Sequence, residues 1–200
     1  MLSAPRRAQV IRLGVPEDFD VSRLTTLLAG FAASHPDIRL ETGSGMSTDL
    51  KARLAAGELD LALIKREPGD GPSLAAWPER LVWVGDKRLL QGQDAVPLVL
   101  FPQGCIYRKR MIYALESAGR TWRAAYHSQS LAGVQAAVAA ALGVSLLPAF
   151  ACLPEHGVLG GEQGLAEAPP TELAIVGDLR AASEAQASLV AVLKEAVGAD

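Results

Sequence analysis

The strongest constraint on this chain is an alternation of strand and helix signals that is used twice. Residues 10–15, VIRLGV, form an apolar strand run. Leu24, Leu27, Leu28 and Phe31 then recur at the spacing of one helix face. Ser22 is the expected N-cap, and His35-Pro36 ends the helix because proline disfavours the helical conformation in the residue before it. Residues 38–42 read as a second strand and Gly43-Ser44-Gly45 as a turn. Ser47 is the expected cap of a second helix with Leu50 and Leu54 inward, and Gly57 stands where a C-terminal glycine belongs. Residues 59–64, LDLALI, are a third strand. At this spacing the connections are right-handed crossovers and the sheet is parallel.

The alternation returns after a Gly- and Pro-rich stretch, 65–79, that reads as loop, and a strand at 81–84. Residues 97–101 form a strand, 102–105 a turn and 106–118 a helix followed by Gly119. A strand at 122–126, a helix at 130–142 and a strand at 144–147 complete the second unit. Residues 157–164 read as loop and 172–176 as a last strand. Residues 183–197 form a closing amphipathic helix with Leu189, Val192 and Leu193 on its apolar face. The fold class is α/β. A parallel sheet needs both faces covered, and the closing helix needs a place to pack. Two lobes meet both needs, with crossings near Trp83 and Ile175: lobe I is 1–83 plus 176–200 and lobe II is 84–175. Ligands of open α/β sheets bind beyond the carboxyl ends of the strands. Two such sheets facing each other would make a cleft.

Composition narrows the function. The chain has 200 residues, half of them hydrophobic, enough for one ordinary core or two small lobes. Its formal net charge is −3, whereas a nucleic-acid binder rests on a basic face that neutralises phosphates. The one basic run, Arg108-Lys109-Arg110, reads as a solvated helix face. Cys105 and Cys152 have no metal-like spacing, which implies a reducing cytoplasm. His35, His127 and His156 are scattered, so neither a metal set nor a cofactor site is visible. The first nine residues hold no apolar run and do not read as a signal peptide. The apolar stretch 136–153 is broken by Gly143, Ser145 and Pro148 and reads as helix, turn and strand, not as a membrane span.

Four strand-end loops are the candidate binding surface. They carry Glu17, Asp18 and Phe19; Ser44, Gly45 and Ser47; Gln103, Gly104, Cys105 and Tyr107; and Ser128, Gln129 and Ser130. Several of these stand at helix N-termini, where free N–H groups and the helix dipole favour an anion such as a carboxylate. Glu17 and Asp18 argue the other way, and they also read as a solvated loop. The serines read first as caps. Cys105 reads as a small packing residue or, with a thiol activated by the following helix, as a redox sensor.

The segments IRLGVPEDF, GELDLALI, ERLVWVGD, PLVLFPQGCIYR and LAGVQAAVAAALGVSLLP, in this order and at these intervals, resemble the successive signatures of LysR-type effector domains. The resemblance runs from Val10 to Val197. It implies a two-lobed, type II periplasmic-binding-protein-like fold with two crossover segments. It also implies a small-molecule co-inducer bound in the inter-lobe cleft of a cytoplasmic transcription regulator, with no catalytic residue. By position, the family's ligand contacts fall on Asp18, Ser47, Cys105, Tyr107, Gln129 and Ser130, beside the loop residue Ser44. Helices over 24–33 and 108–119 would flank a two-fold interface, giving a homodimer and, at full length, a tetramer. DNA would be met only through an N-terminal winged helix-turn-helix, absent from this chain, with MLSAPRR as the end of its linker. Family members usually have glycine where Ala141 stands, and alanine, the better helix former, should let that helix run further. Two other functions fit such a fold: a solute-binding protein for a transporter, and a lyase or dehydratase. The first needs an export signal and the second a positioned acid, base or nucleophile.

Overall fold

In a computed structural model of the chain, which describes residues 9–92, 94–178 and 183–197, β1 (Gln9–Pro16) pairs parallel with strands on both its sides. The segment 1–8, expected as the end of a linker, lies outside the described residues. Helix α1 (Val21–Ser34) leads to β2 (Ile38–Gly45), and α2 (Ser47–Ala55) leads to β3 (Leu61–Arg66). The order β2-β1-β3 is the parallel crossover arrangement that the spacing predicts. A fourth strand, β4 (Ala75–Glu79), corrects the expectation of loop over 65–79. It sits at the edge of the sheet, where Pro78 breaks no inner ladder. Its side chains alternate between half-buried and exposed, a pattern too short to stand out beside so many prolines and glycines.

The second unit starts with β5 (Leu81–Val84), which is central in a three-stranded antiparallel sheet and is not a passage between units. Then come β6 (Ala95–Leu100), α3 (Ile106–Ser117), β7 (Thr121–His127), α4 (Leu131–Ala139) and β8 (Ser145–Pro148). Strand β6 pairs parallel with β7 on one side. On the other it bridges parallel to Val144, just before β8. The first unit's connectivity is thus repeated. A two-residue strand, β9 (Val158–Leu159), pairs with β5 inside the stretch expected as loop.

Strand β10 (Thr171–Gly177) returns to the first sheet between β3 and β4, and α5 (Glu184–Val197) closes the chain. Ser183 and Gln186 form a reciprocal capping box at its start. Strands β3 and β10 are apolar on both faces. Leu61, Leu63, Leu173 and Ile175 join Leu24, Phe31, Leu189 and Leu193 on one side. Ala62, Ile64, Ala174 and Val176 join Leu50 and Leu59 on the other. Burial on both faces is why LDLALI reads as a run and not as an alternation. The second unit has its own core, around Trp83, Leu98, Leu100, Met111, Leu115, Val138 and Leu146.

The described chain forms two compact units. One holds the residues up to Lys65, Gly69–Trp77 and those from Leu173 on; the other holds Arg66–Pro68 and Pro78–Glu172. The chain passes between them at Trp77/Pro78 and Glu172/Leu173, and around the short segment Arg66–Pro68.

Two helix boundaries differ from expectation for local reasons. Helix α1 begins one residue before Ser22, and Asp20 takes the cap position, its carbonyl accepting the Leu24 N–H. Helix α4 stops at Ala139, short of the expected 142. Its end repeats the hydrogen bonding that closes α2 and α3. In those helices Gly57 (φ +72°) and Gly119 (φ +65°) take the left-handed position after the cap. Their N–H groups donate to Leu54 and Glu116, and the next residues donate to Arg53 and Leu115. In α4 that position is Ala141, at φ 55°, with the Ala141 and Leu142 N–H groups donating to Val138 and Ala137. Alanine there does not prolong the helix; it occupies a site suited to glycine. Left-handed backbone costs alanine about 1–2 kcal/mol, partly offset by the greater chain entropy that glycine loses on folding. Ala141→Gly should therefore stabilise the protein by about 0.5–1 kcal/mol. Urea unfolding checks this, and a variant less stable than the parent would refute the strain.

Candidate functional site

The carboxyl ends of β1, β2 and β3 bring Asp18, Ser44, Ser47 and Lys65 to one edge of the first sheet. Register aligns Val15 with Ser44, so the loop carrying Asp18 leaves the sheet beside the β2 end. Ser44 is exposed and Ser47 half-buried. Ser47 is not the cap of α2. That position is held by Met46, which makes no side-chain cap bond. The Ser47 hydroxyl oxygen instead accepts the Lys65 backbone N–H at 2.8 Å, joining the first turn of α2 to the end of β3. The side chain of Lys65 is only 4% exposed, and its Nζ lies 3.5 Å from Asp18 Oδ2. Asp18, itself 12% exposed, therefore does not belong to a solvated loop, although Glu17 beside it is exposed. The first helical bond of α2 runs from Leu50 to Met46, so the N–H groups of residues 47–49 have no helical acceptor.

The second unit presents a similar edge at the ends of β6 and β7. The Ser128 N–H donates to Leu100 O, which ties the two strand ends together. Ser130 is the N-cap of α4, as expected, its hydroxyl accepting the Gly133 N–H at 3.1 Å. Gln129 and Ser130 are exposed. Cys105 holds the N-cap position of α3 without a side-chain cap bond and packs, half-buried, against the core of its unit. Tyr107 is separated from this surface: it is 2% exposed, edge-on to Phe101, and its hydroxyl donates to Glu79 Oε2 at 3.3 Å. Among the expected ligand residues, then, the structure groups Asp18, Ser44 and Ser47 on one edge and Cys105, Gln129 and Ser130 on the other, and buries Tyr107.

The basic run is not simply a solvated face. Arg108 donates to Phe101 O, Lys109 pairs with Glu67 at 2.9 Å, and Arg110 pairs with Glu67 and donates to Pro170 O. Arg110 is 12% exposed in its side chain. Three further interactions were hidden in the sequence: Arg66 pairs with Glu172 at 2.6 Å, and both Tyr107 and Thr171 donate to Glu79. Arg66 follows an apolar run and Glu79 a proline, and the sequence signals them only as charges flanking hydrophobic segments. Neither Cys105 nor Cys152 is in a disulfide. Burial pushes the Cys152 thiol up, against the pull of nearby Arg80, so it stays protonated and a poor nucleophile. Among the described residues, no three His, Cys, Asp or Glu side chains are grouped to hold a metal, and no helix is long and apolar enough to cross a membrane.

Three comparisons place this geometry. The family model of the LysR substrate binding domain matches residues 5–198. The transcriptional regulator DgdR of Burkholderia cepacia is 30% identical over 180 residues, 89% of this chain and 61% of that protein. The chain thus spans about three fifths of that relative's length. The regulatory domain of HypT from Salmonella typhimurium, in its bromide-ion-bound structure, superposes with a TM-score of 0.71 at 15% identity, over 96% of this chain and 97% of that one. The Synechocystis PCC6803 CcmR regulatory domain, in complex with 2-PG, gives 0.68 at 16%, over 94% and 97%. At such identities the likeness to the solved domains speaks for the fold.

The Ser47 contact yields a stability expectation. Ser47→Ala leaves the Lys65 N–H without its acceptor at a partly buried site, and should cost about 1–3 kcal/mol. Ser130→Ala, which removes an exposed cap, should cost about 1 kcal/mol. Chemical denaturation of the two variants measures the difference. Equal losses would mean that the Ser47 bond does no more than a cap.

Proposed function

We propose, from the premise that this chain belongs to the LysR substrate-binding domain family, that it senses a small-molecule effector for a cytoplasmic transcription regulator. One observation carries the reading: in each unit, parallel strands end where helix N-termini begin, and polar side chains collect there. Backbone N–H groups at such ends favour anions, and a carboxylate effector matches them. The bromide of the HypT domain and the 2-PG of the CcmR domain belong to those proteins, and they support small-ligand binding on this fold. Asp18, Ser44, Ser47, Cys105, Gln129 and Ser130 are the proposed contacts, with Tyr107 acting from beneath as a packing residue. The groups at these edges cap helices and tie strands together, which supports a sensor in preference to a lyase or dehydratase. Cys105 and Cys152, which are not in a disulfide, fit a reducing compartment better than the export route of a transporter's solute-binding protein.

The test is a thermal-shift screen of small metabolites, since a ligand that binds only the folded state raises the melting temperature by mass action. Gln129→Trp, at an exposed position, should abolish the shift and leave the fold intact; Ser47→Trp should abolish it as well while costing stability through the lost Lys65 contact, so circular dichroism must show that it is folded. If both keep the full shift, the binding surface lies elsewhere.

The regulator as a whole would act as a homodimer, and as a tetramer at full length, with α1 and α3 flanking the two-fold interface. It would reach DNA only through an N-terminal helix-turn-helix head. With a net charge of −3, this chain alone should bind DNA negligibly at physiological salt. Gel shift and sedimentation together check these statements. Sub-micromolar, sequence-dependent DNA binding, or a monomer at high micromolar concentration, would contradict them.

A further inference from the structure

We propose that Glu67 is a latch residue. It holds the Arg110 guanidinium of α3 in place, and through Arg110 it fastens two distant segments, Arg66–Pro68 and residues 170–172, so that they loosen together. The latch lies wholly within the second unit and needs no ligand.

Tyr107 and Arg110 stand three residues apart on α3 and so share a face of the helix. Tyr107 donates to Glu79. Arg110 pairs with Glu67 and donates to Pro170 O at 3.0 Å. The two segments are also joined to each other. Arg66 pairs with Glu172, 106 positions further along the chain. Thr171, between Pro170 and Glu172, donates to Glu79. One helix face thus gathers chain from three places, and Arg110 is the side chain that touches both Glu67 and Pro170 at once.

The partners of Arg110 differ from it in what they lose on release. The Glu67 side chain is 37% exposed and Pro170 is exposed, so water can solvate either acceptor once Arg110 is gone. Arg110 is 12% exposed in its side chain. Its Nε is buried and has no hydrogen-bond partner among the described residues. A guanidinium does not shed its charge by losing a proton. Without Glu67, a largely buried cation would therefore face the Pro170 carbonyl and no carboxylate of the latch. It would stay there at an electrostatic cost, or swing out and release Pro170 as well. Breaking a buried pair from one side costs more than replacing both members by apolar groups. Lys109 also pairs with Glu67, but it is exposed, and such pairs contribute little. The latch is therefore one-sided: losing Glu67 should hurt more than losing Arg110.

Urea unfolding and hydrogen exchange followed by mass spectrometry test this in the parent, Glu67→Ala, Arg110→Met and the double variant. Glu67→Ala should raise the unfolding equilibrium constant on the order of tenfold or more. It should also speed exchange in peptides covering both 64–72 and 165–173. Arg110→Met should raise the constant less, and the double variant should lie within about threefold of Arg110→Met. Asp70→Asn, in the same loop but paired with Lys51 of the first unit, should leave exchange over 165–173 as in the parent. Should Glu67→Ala not fold by circular dichroism, Glu67→Gln takes its place with the same expected order. The latch is overturned if exchange over 165–173 is unchanged by the loss of Glu67. It is overturned equally if the double variant is less stable than the Glu67 variant, or if Asp70→Asn loosens 165–173 to the same extent.

Discussion

Everything at the strand-end edge of the first unit depends on β1 pairing in parallel on both sides. Because β2 and β3 both run in its direction, each connection between them must cross a face of the sheet as a helix. The three strands therefore end together, and the segments after them, with Asp18, Ser44, Ser47 and Lys65, arrive at one edge without further design. The second unit obeys the same rule with β6 as its central strand, β7 on one side and Val144 on the other. Sharing a connectivity, the two units share a place for polar loop residues, although their sequences at those loops differ.

Among the described residues, buried charge gathers around the end of β3, where Lys65 and Arg66 lie. Lys65 with Asp18 and Arg66 with Glu172 each remove ions from water, which is repaid only where a partner is held close, and Glu67, just past the strand, pairs with Arg110 of α3. Lys65 and Arg66 are consecutive on β3, where side chains alternate between faces, so neighbouring cations serve different partners. Apolar residues would fill the same volumes at no electrostatic cost. The presence of ion pairs here, and of apolar layers deeper in the sheets, marks where specific geometry outweighs bulk burial.

The fold was legible in the sequence wherever period and punctuation agreed. LDLALI, the α1 stripe of Leu24 and Phe31, and the glycines after α2 and α3 all report local physics, and local physics decided those elements. Reading failed where a tertiary contact outranked a local rule. Ser47 looks like a cap, and would serve as one, but the β3 end offers a backbone N–H that needs an acceptor. Ala141 looks like a helix former, yet the closing hydrogen bonds of α4 require left-handed backbone at that point. Tyr107 follows a strand-end loop in sequence, yet one residue into α3 the helix face already turns inward, towards Phe101 and Glu79. Lys65 carried no signal at all, because its partners are defined only once three strands are aligned.

The two edges differ in what a bound molecule would disturb. Ser130 spends its hydroxyl on its own helix, three residues away, and Ser128 and Ser130 exchange hydrogen bonds within one short loop. A ligand that competes for Ser130 displaces a cap, a matter of about 1 kcal/mol, and the change stays within that loop. Ser47 spends its hydroxyl on a strand 18 residues further along the chain. A ligand that pulled the hydroxyl away would unfasten α2 from β3 and disturb Lys65, hence Asp18, together. A molecule that takes only the proton of Ser47 leaves this fastening in place and adds to it. Ser47 thus joins elements far apart in the chain, whereas the Ser128 and Ser130 contacts remain local to one turn.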